Sequence, residues 1–447
     1  MKLKFFPWLI FSFFLFSSCA QIIQSSPSTS ISFLSKNKKT PTYCDSKIKK
    51  EISLFSHPFS SAKSFNQLLN SKALKTKRLL FIEKVSLWLL FQMNTRPDLS
   101  SPTSRLQVYI KTNNSQPHYW DFHAPFKTKH NFTYFPYLEG LETLLKTYQA
   151  RRTLKQLAKI LDRNFPAKLK INKELAVNIS QKKNALKTSP LFKKAFFKGS
   201  EPMKENESLP KINFSKLVKN YSLWKRRNKK RSLKSKHLFS LKIFNTSREQ
   251  SINCNIDLSL YKHSIYLIGQ GDTSVNLFGL DNKKGGVFIG VSSQSLKGPL
   301  KPLFNTFLIK ASPPQKTPAL CLIENFRKNS KLALLSYKGR DPGQYLYNIM
   351  KKGVYNSNSL MDLDIFLRAP RKLVLVNPLR VLIEPAEKIS QEYQKYRNQN
   401  IPIYPVKNLG NIMGHAHFPQ RDQEGFVLDK RSPERLSCLK KNKSSQP

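Results

Sequence analysis

The side chains best placed for chemistry lie in Gly339-Arg340-Asp341-Pro342-Gly343-Gln344, between one apolar run and one amphipathic run. A strand ending there and a helix starting there would aim helix N-terminal amides, with Arg340 and Gln344, at an anionic group. That edge is where ligands lie in open α/β sheets. The plainer reading makes Asp341 the N-cap of the helix and Arg340 its ion-pair partner. Histidines come in two pairs, His118 with His123 and His415 with His417. Residues two apart on a strand share a face, so His415 and His417 can meet one metal ion, with Asp121 or Glu324 completing the set. Isolated pairs more often serve packing, and the expectation is no metal and no cofactor.

Motif spacing removes several classes. No G-x-S-x-G, H-E-x-x-H, P-loop or EF-hand pattern occurs, so the readily legible hydrolases, proteases and NTPases are set aside. GQGDTS imitates a dinucleotide-binding loop, but Ser274 stands where the third glycine belongs and a strand pattern follows it, so dinucleotide binding is excluded too.

A second locus is cationic. Trp224, Lys225, Arg226, Arg227, Lys229, Lys230, Arg231, Lys234 and Lys236 place eight basic residues in a row without an acid, beside Tyr221 and Phe239. Cations among aromatics are what phosphate contact and stacking require, and they make this strip a candidate polyanion-binding site. The competing reading is a solvated linker. Across the chain 77 basic residues face 27 acidic ones, a formal charge of +50, which favours an anionic envelope polymer or lipid headgroups. Lysine is scattered everywhere, so the charge also reads as ordinary solvation.

Export argues against nucleic acid. Lys2 and Lys4 precede an uncharged run from Phe5 to Phe16, and the small residues Ser17 and Ser18 lead into Cys19. This is the order of a secretory signal, and about twelve apolar residues fall short of the roughly twenty that span a bilayer. Phe16-Ser17-Ser18-Cys19 resembles the lipobox of bacterial lipoproteins, with phenylalanine where leucine is usual. The resemblance implies that Cys19 becomes the first mature residue, acylated (palmitate among the chains) and anchored in the membrane. Ala20, in place of a retaining aspartate, implies the outer membrane. Cleavage after Ala20, giving a secreted protein, is the alternative. Either way Cys44, Cys254, Cys321 and Cys438 remain as candidate disulfide partners, and four cysteines allow three connectivities.

These residues need elements to hold them. After a signal peptide at 1–18, residues 19–70 read as a lipid-anchored polar tether. Residues 71–165 read as a helix-rich α+β domain. In it KRLLFIEKVSLWLLFQM forms a buried helix, RLQVYIK and HYWDF a β-hairpin, and Leu138 to Leu161 a helical stripe. Residues 166–250 read as a Lys-rich linker, and 251–425 as a β-rich α/β domain. The latter holds a β-meander and strand-helix-strand units, with a helix capped by Asp341 and Pro342. Residues 426–447 read as a basic tail. The predicted class is α+β overall. The function read from these residues is a membrane-anchored envelope lipoprotein that binds or scaffolds a protein or anionic envelope partner. The alternative is an exported enzyme centred on Arg340 and Asp341.

Overall fold

The computed structural model describes residue 43 and residues 52–438, leaving out 114, 125–133, 167–168, 189, 229–237, 240, 264–274, 283–284, 294–317, 339–340, 377 and 385–390. The chain divides into two units, residues 1–40 and 41–447, and the second contains every described residue. The lipobox stretch and Cys44 lie outside the described residues.

In chain order the strands of the two main sheets are β1 (Ile52–Ser56), β2 (Arg105–Thr112), β3 (His118–Phe122), β4 (Leu238–Phe239), β5 (Lys242–Thr246), β6 (Gln250–Cys254), β7 (Val275–Asn282), β8 (Gly286–Ser293), β9 (Ala319–Asn325), β10 (Ser330–Tyr337), β11 (Asn411–Phe418), β12 (Gln423–Leu428) and β13 (Arg435–Cys438). The principal helices are α1 (Phe59–Asn70), α2 (Phe81–Thr95), α3 (Pro136–Thr147), α4 (Leu154–Asn164), α5 (Phe214–Arg227), α6 (Pro342–Lys351) and α7 (Leu360–Arg368). The first sheet runs β13-β1-β7-β8-β2-β3-β4 and the second β12-β11-β10-β9-β6-β5. Neighbours in both pair antiparallel.

Burial explains the layering. Along β7, Val275 and Leu277 join the apolar layer between the sheets, and Phe278 and Leu280 join the core under α1 to α5. A strand buried on both faces reads as the near-continuous run VNLFGL, with no clean alternation. The second sheet covers the layer from the other side with Leu320, Leu335 and Met413, and turns Cys321, Leu334 and Ile412 toward α6 and α7. The result is four layers: helices, sheet, sheet, helices. Gly279 permits the close packing at the centre of β7, because a Cβ there would stand 2.1 Å from Cε1 of Phe55.

The mixed α+β class matches the sequence expectation, and so do the buried helix α2, the hairpin β2-β3 and the Asp341-capped α6. The strand-helix-strand pattern near residue 390 is present as well. Leu379–Ile383 and Ile403–Pro405 flank the helix Gln391–Asn398 and pair in parallel in a small separate sheet. The Leu138 to Leu161 stripe belongs to two helices, because Thr153 starts α4 with a capping box to Gln156.

The division into separate domains does not describe this unit. Strands β2 and β3, from residues 105–122, lie in one sheet beside β7 and β8, from 275–293. The presumed tether contains β1, which sits between β13 and β7, and α1; the presumed tail contains the second half of β12 and all of β13. The presumed linker contributes Leu175, Phe192, Phe214, Leu217 and Tyr221 to the helical core. Among the described residues no helix is long and apolar enough to cross a membrane.

Of the four candidate cysteines, Cys254 and Cys321 are joined, facing each other across β6 and β9 with Cα atoms 4.1 Å apart. Cys438 ends β13, and its side chain lies outside the described residues. Bridged residues 67 apart in sequence close a long loop, and the chain-entropy model gives about 4 kcal/mol for such a closure. Replacing both cysteines with serine is therefore expected to lower unfolding stability by up to that amount, read from denaturant midpoints of variant and parent. Alkylation of Cys254 and Cys321 in denatured, unreduced protein would contradict the pairing.

Candidate active site

One end of the sandwich is polar. There β7 starts, β8 and β3 end, and β2 starts: Val275 pairs with Ser293, which pairs with Arg105, and Asn276 pairs with Ser292. The C-terminal turn of α2 and the connection that follows it bring Gln92, Asn94, Thr95, Arg96, Asp98, Ser100, Ser101, Thr103 and Ser104 to the same place, all buried. Buried polar groups are costly without partners, so such a concentration demands a reason.

The groups form three neighbouring sets. In the first, Asn276 Nδ2 donates to Gln92 Oε1 at 3.1 Å and to Ser100 Oγ at 2.9 Å, and the Ser100 and Ser292 hydroxyls share a hydrogen bond at 2.5 Å. Gln92 Nε2 and Asn276 Oδ1 are buried with no partner among the described residues, so a donor and an acceptor remain on this array. In the second, Arg105 grips Asp121 through Nε at 2.8 Å and through Nη2, and Gln107 Nε2 donates to Tyr119 OH at 2.8 Å and to Asp121 at 3.2 Å. Burial, reinforced by Asp121, holds the Tyr119 phenol well above its ordinary range, so it stays protonated.

The third set ties the two sheets together. Tyr337 of β10 donates to Glu434 Oε2 at 2.6 Å, and Ser432 bonds to both. Burial alone would raise the Glu434 carboxyl, but Lys338 and the hydroxyls of Ser432 and Tyr337 outweigh it and hold the carboxyl below its usual range. Nearby, Arg96 forks onto Asp98 at 3.0 Å and reaches Glu174 at 3.0 Å, while burial holds the His57 imidazole below its ordinary value. Hydroxyls, amides, a cation-carboxylate pair and neutral phenols thus gather at one end of the unit, the first set on the helix-facing side of the first sheet and the second on its inter-sheet side.

The residues singled out from the sequence are placed differently. Asp341 is fully buried and caps α6, accepting from Gln344 N at 3.2 Å and from Tyr261 OH at 2.6 Å. This is the plainer of the two readings of that loop. Gln344 is buried at the first turn of α6, and Arg340 lies outside the described residues. The loop still leaves β10 at the polar end, since Tyr337 is the last residue of that strand.

The basic strip is divided. Trp224, Lys225, Arg226 and Arg227 form the last turn of α5. Trp224 packs edge-on to Phe135 at 4.6 Å, and Lys225 pairs with Glu142, so neither presents an open stacking platform. Cations at a helix C-terminus are favoured by the dipole, which accounts for this part of the strip. Lys229, Lys230, Arg231, Lys234 and Lys236 lie outside the described residues.

The histidine pairs do not form the expected set. Asp121 is taken by Arg105, and Glu324 pairs with Lys331 at 3.1 Å. His118 contacts Tyr148 OH at 3.3 Å, and His123 contacts the carbonyl of Ala124 at 2.9 Å. His415 instead meets Asp281 and Glu424, at the opposite end of the sandwich from Asn276.

Sequence reading places Gln92 in the buried helix and reads Arg96 to Ser104 as a turn. Its one legible signal was Asn276, a lone amide inside VNLFGL, where every neighbour is apolar.

No family model matches this chain, and no curated protein does. Solved structures do. The structure of LmbA2991HD aligns with a TM-score of 0.62 at 8% identity, covering 90% of this chain and 100% of that one. Cephalosporin acylase from Bacillus halodurans aligns with a TM-score of 0.59 at 9% identity, covering 94% of this chain and 100% of that one. At such identities the likeness is one of fold alone.

Proposed function

We propose that the chain is an exported, lipid-anchored enzyme that cleaves or transfers an acyl group at an amide bond, with its reacting centre at the polar end of the sandwich. The observation that carries this reading is the buried Gln92–Asn276–Ser100–Ser292 array at the head of the central strand β7. A fold shared with an acylase supports it. In the step proposed, a hydroxyl oxygen attacks the amide carbonyl, the C–N bond breaks, and the amine leaves with the hydroxyl proton. Water then opens the resulting ester. Gln92 Nε2 supplies a donor of the kind that stabilises a developing oxyanion, and Asn276 Nδ2 positions Gln92 and Ser100 by donating to both.

Export and anchoring through Cys19 remain part of the proposal, on the signal-like N-terminus and the Cys254–Cys321 bridge. A binding or scaffolding role drew on composition and on the basic strip, and the fold gives it no support.

The test uses the full chain extracted from membranes, a panel of N-acyl chromogenic amides and a hydroxyl-reactive acylating probe, with peptide mapping of the adduct. Labelling of a single hydroxyl is expected. Ser100 and Ser292 are candidates, and so are Thr273 and Ser274, which directly precede Val275 in the sequence and lie outside the described residues. Gln92→Ala should slow labelling about 100-fold or more, the scale of a lost oxyanion donor. Cys19→Ser should move the protein out of the membrane fraction or leave it uncleaved. No turnover and no selective adduct on folded protein would overturn the enzymatic reading.

A further inference from the structure

The inter-sheet layer carries a second polar cluster, at the end away from the candidate active site. There β7 contributes Asp281, β11 contributes His415 and β12 contributes Glu424. His415 Nε2 lies 3.4 Å from Asp281 Oδ2 and 3.9 Å from Glu424 Oε1, and the three ligand atoms lie within 4.8 Å of one another. The first two are buried, and Glu424 is partly exposed.

We infer that Asp281, His415 and Glu424 form a binding site for one divalent transition-metal ion, with Zn2+ the best match, clamping the two sheets together. Two ligands held about 2.1 Å from a tetrahedral zinc are about 3.4 Å apart, so the widest of the observed spacings needs to close by about 1.4 Å at most. One imidazole nitrogen and two carboxylates suit zinc, and a water in the fourth position can enter beside the exposed edge of Glu424.

The ligands are also held in place. The His415 ring packs edge-on to Phe426 at 5.1 Å, and Phe426 packs on Phe55 at 4.8 Å, so the imidazole is oriented by both sheets. Asp281 lies six positions along β7 from Val275, about 20 Å of strand, so the ion belongs to the framework and not to the polar end.

The experiment takes the full chain, strips it with a chelator, and titrates Zn2+, Mn2+ and Co2+ separately, following metal content, thermal midpoint and the Co2+ absorption spectrum. One equivalent of Zn2+ is expected to bind and raise the midpoint, and Co2+ is expected to give the visible bands of a low-coordinate site. His415→Ala and Asp281→Asn should each weaken binding at least about 100-fold, beyond the range for a lost outer-shell partner. If those variants fail to fold, Glu424→Gln, at the exposed edge, serves the same purpose, and His417→Ala is the control that keeps binding. A stripped protein that takes up no ion stoichiometrically, or takes it up equally with Glu424→Gln and the parent, would overturn the site.

Discussion

Truncating Arg371 to alanine is expected to destabilise the 41–447 unit by about 3 to 5 kcal/mol, the range for breaking a buried charge network from one side. Arg371 is 2% exposed and donates from Nε to Glu384 at 3.0 Å, and from Nη2 to Glu384 at 2.7 Å and to the Gly410 carbonyl at 2.6 Å. It also lies 3.2 Å from Asp429. Glu384 in turn accepts the backbone N–H of Leu409 and of Arg371 itself, and Arg431 reaches both Glu384 and Asp429.

Without the guanidinium, two buried carboxylates share the single cation of Arg431, and the carbonyl of Gly410 loses its donor. Lysine should not rescue, because a point charge cannot fork across two carboxylates and a carbonyl at once. Denaturant midpoints of parent, Arg371→Ala and Arg371→Lys measure this. A loss below about 1 kcal/mol for the alanine variant would mean that Arg431 alone neutralises the pocket.

The same network shows where sequence reading stops. The apolar runs KLVLV and RVLIE read as strands because their periodicity is local, and α6 announces itself through Asp341 and Pro342 for the same reason. Arg371, Glu384, Asp429 and Arg431 carry no such signal. Each is one charged residue in a lysine-rich chain, and their meeting depends on four connections folding onto one point. Strand order is equally silent. ISLFS at 52–56 follows a Ser- and Lys-rich stretch, yet it lies between β13 and β7, because the first sheet is assembled from both ends of the described chain. Pairing across more than 200 residues is set by the packing of whole layers, which periodicity does not encode. Arg105 begins the legible strand RLQVYIK, but its partner Asp121 is identifiable only once the register of β2 against β3 is known.

Asp121→Asn is expected to be the most damaging change at the polar end, and a second substitution separates its two effects. It leaves the Arg105 guanidinium, 1% exposed, without its counter-ion, at a cost of about 3 to 5 kcal/mol. It also disturbs Gln107 and Tyr119, which hydrogen-bond into the pair, directly or through one another. Replacing both members with apolar residues of similar volume, Arg105→Met with Asp121→Leu, removes the buried charge altogether and should return stability to within about 1 kcal/mol of the parent, since such replacements are often neutral or better. Labelling by the hydroxyl-reactive probe should follow a different course. If the reacting centre lies where β7 starts, the pair shapes its field and positions the groups around it, so labelling should stay down about 100-fold in the double variant even though the fold is restored. A double variant that folds and labels at the parent's rate would show that Arg105 and Asp121 serve packing alone. The search for the reacting groups would then move along the same end of the sandwich, toward His57, Tyr337 and Glu434.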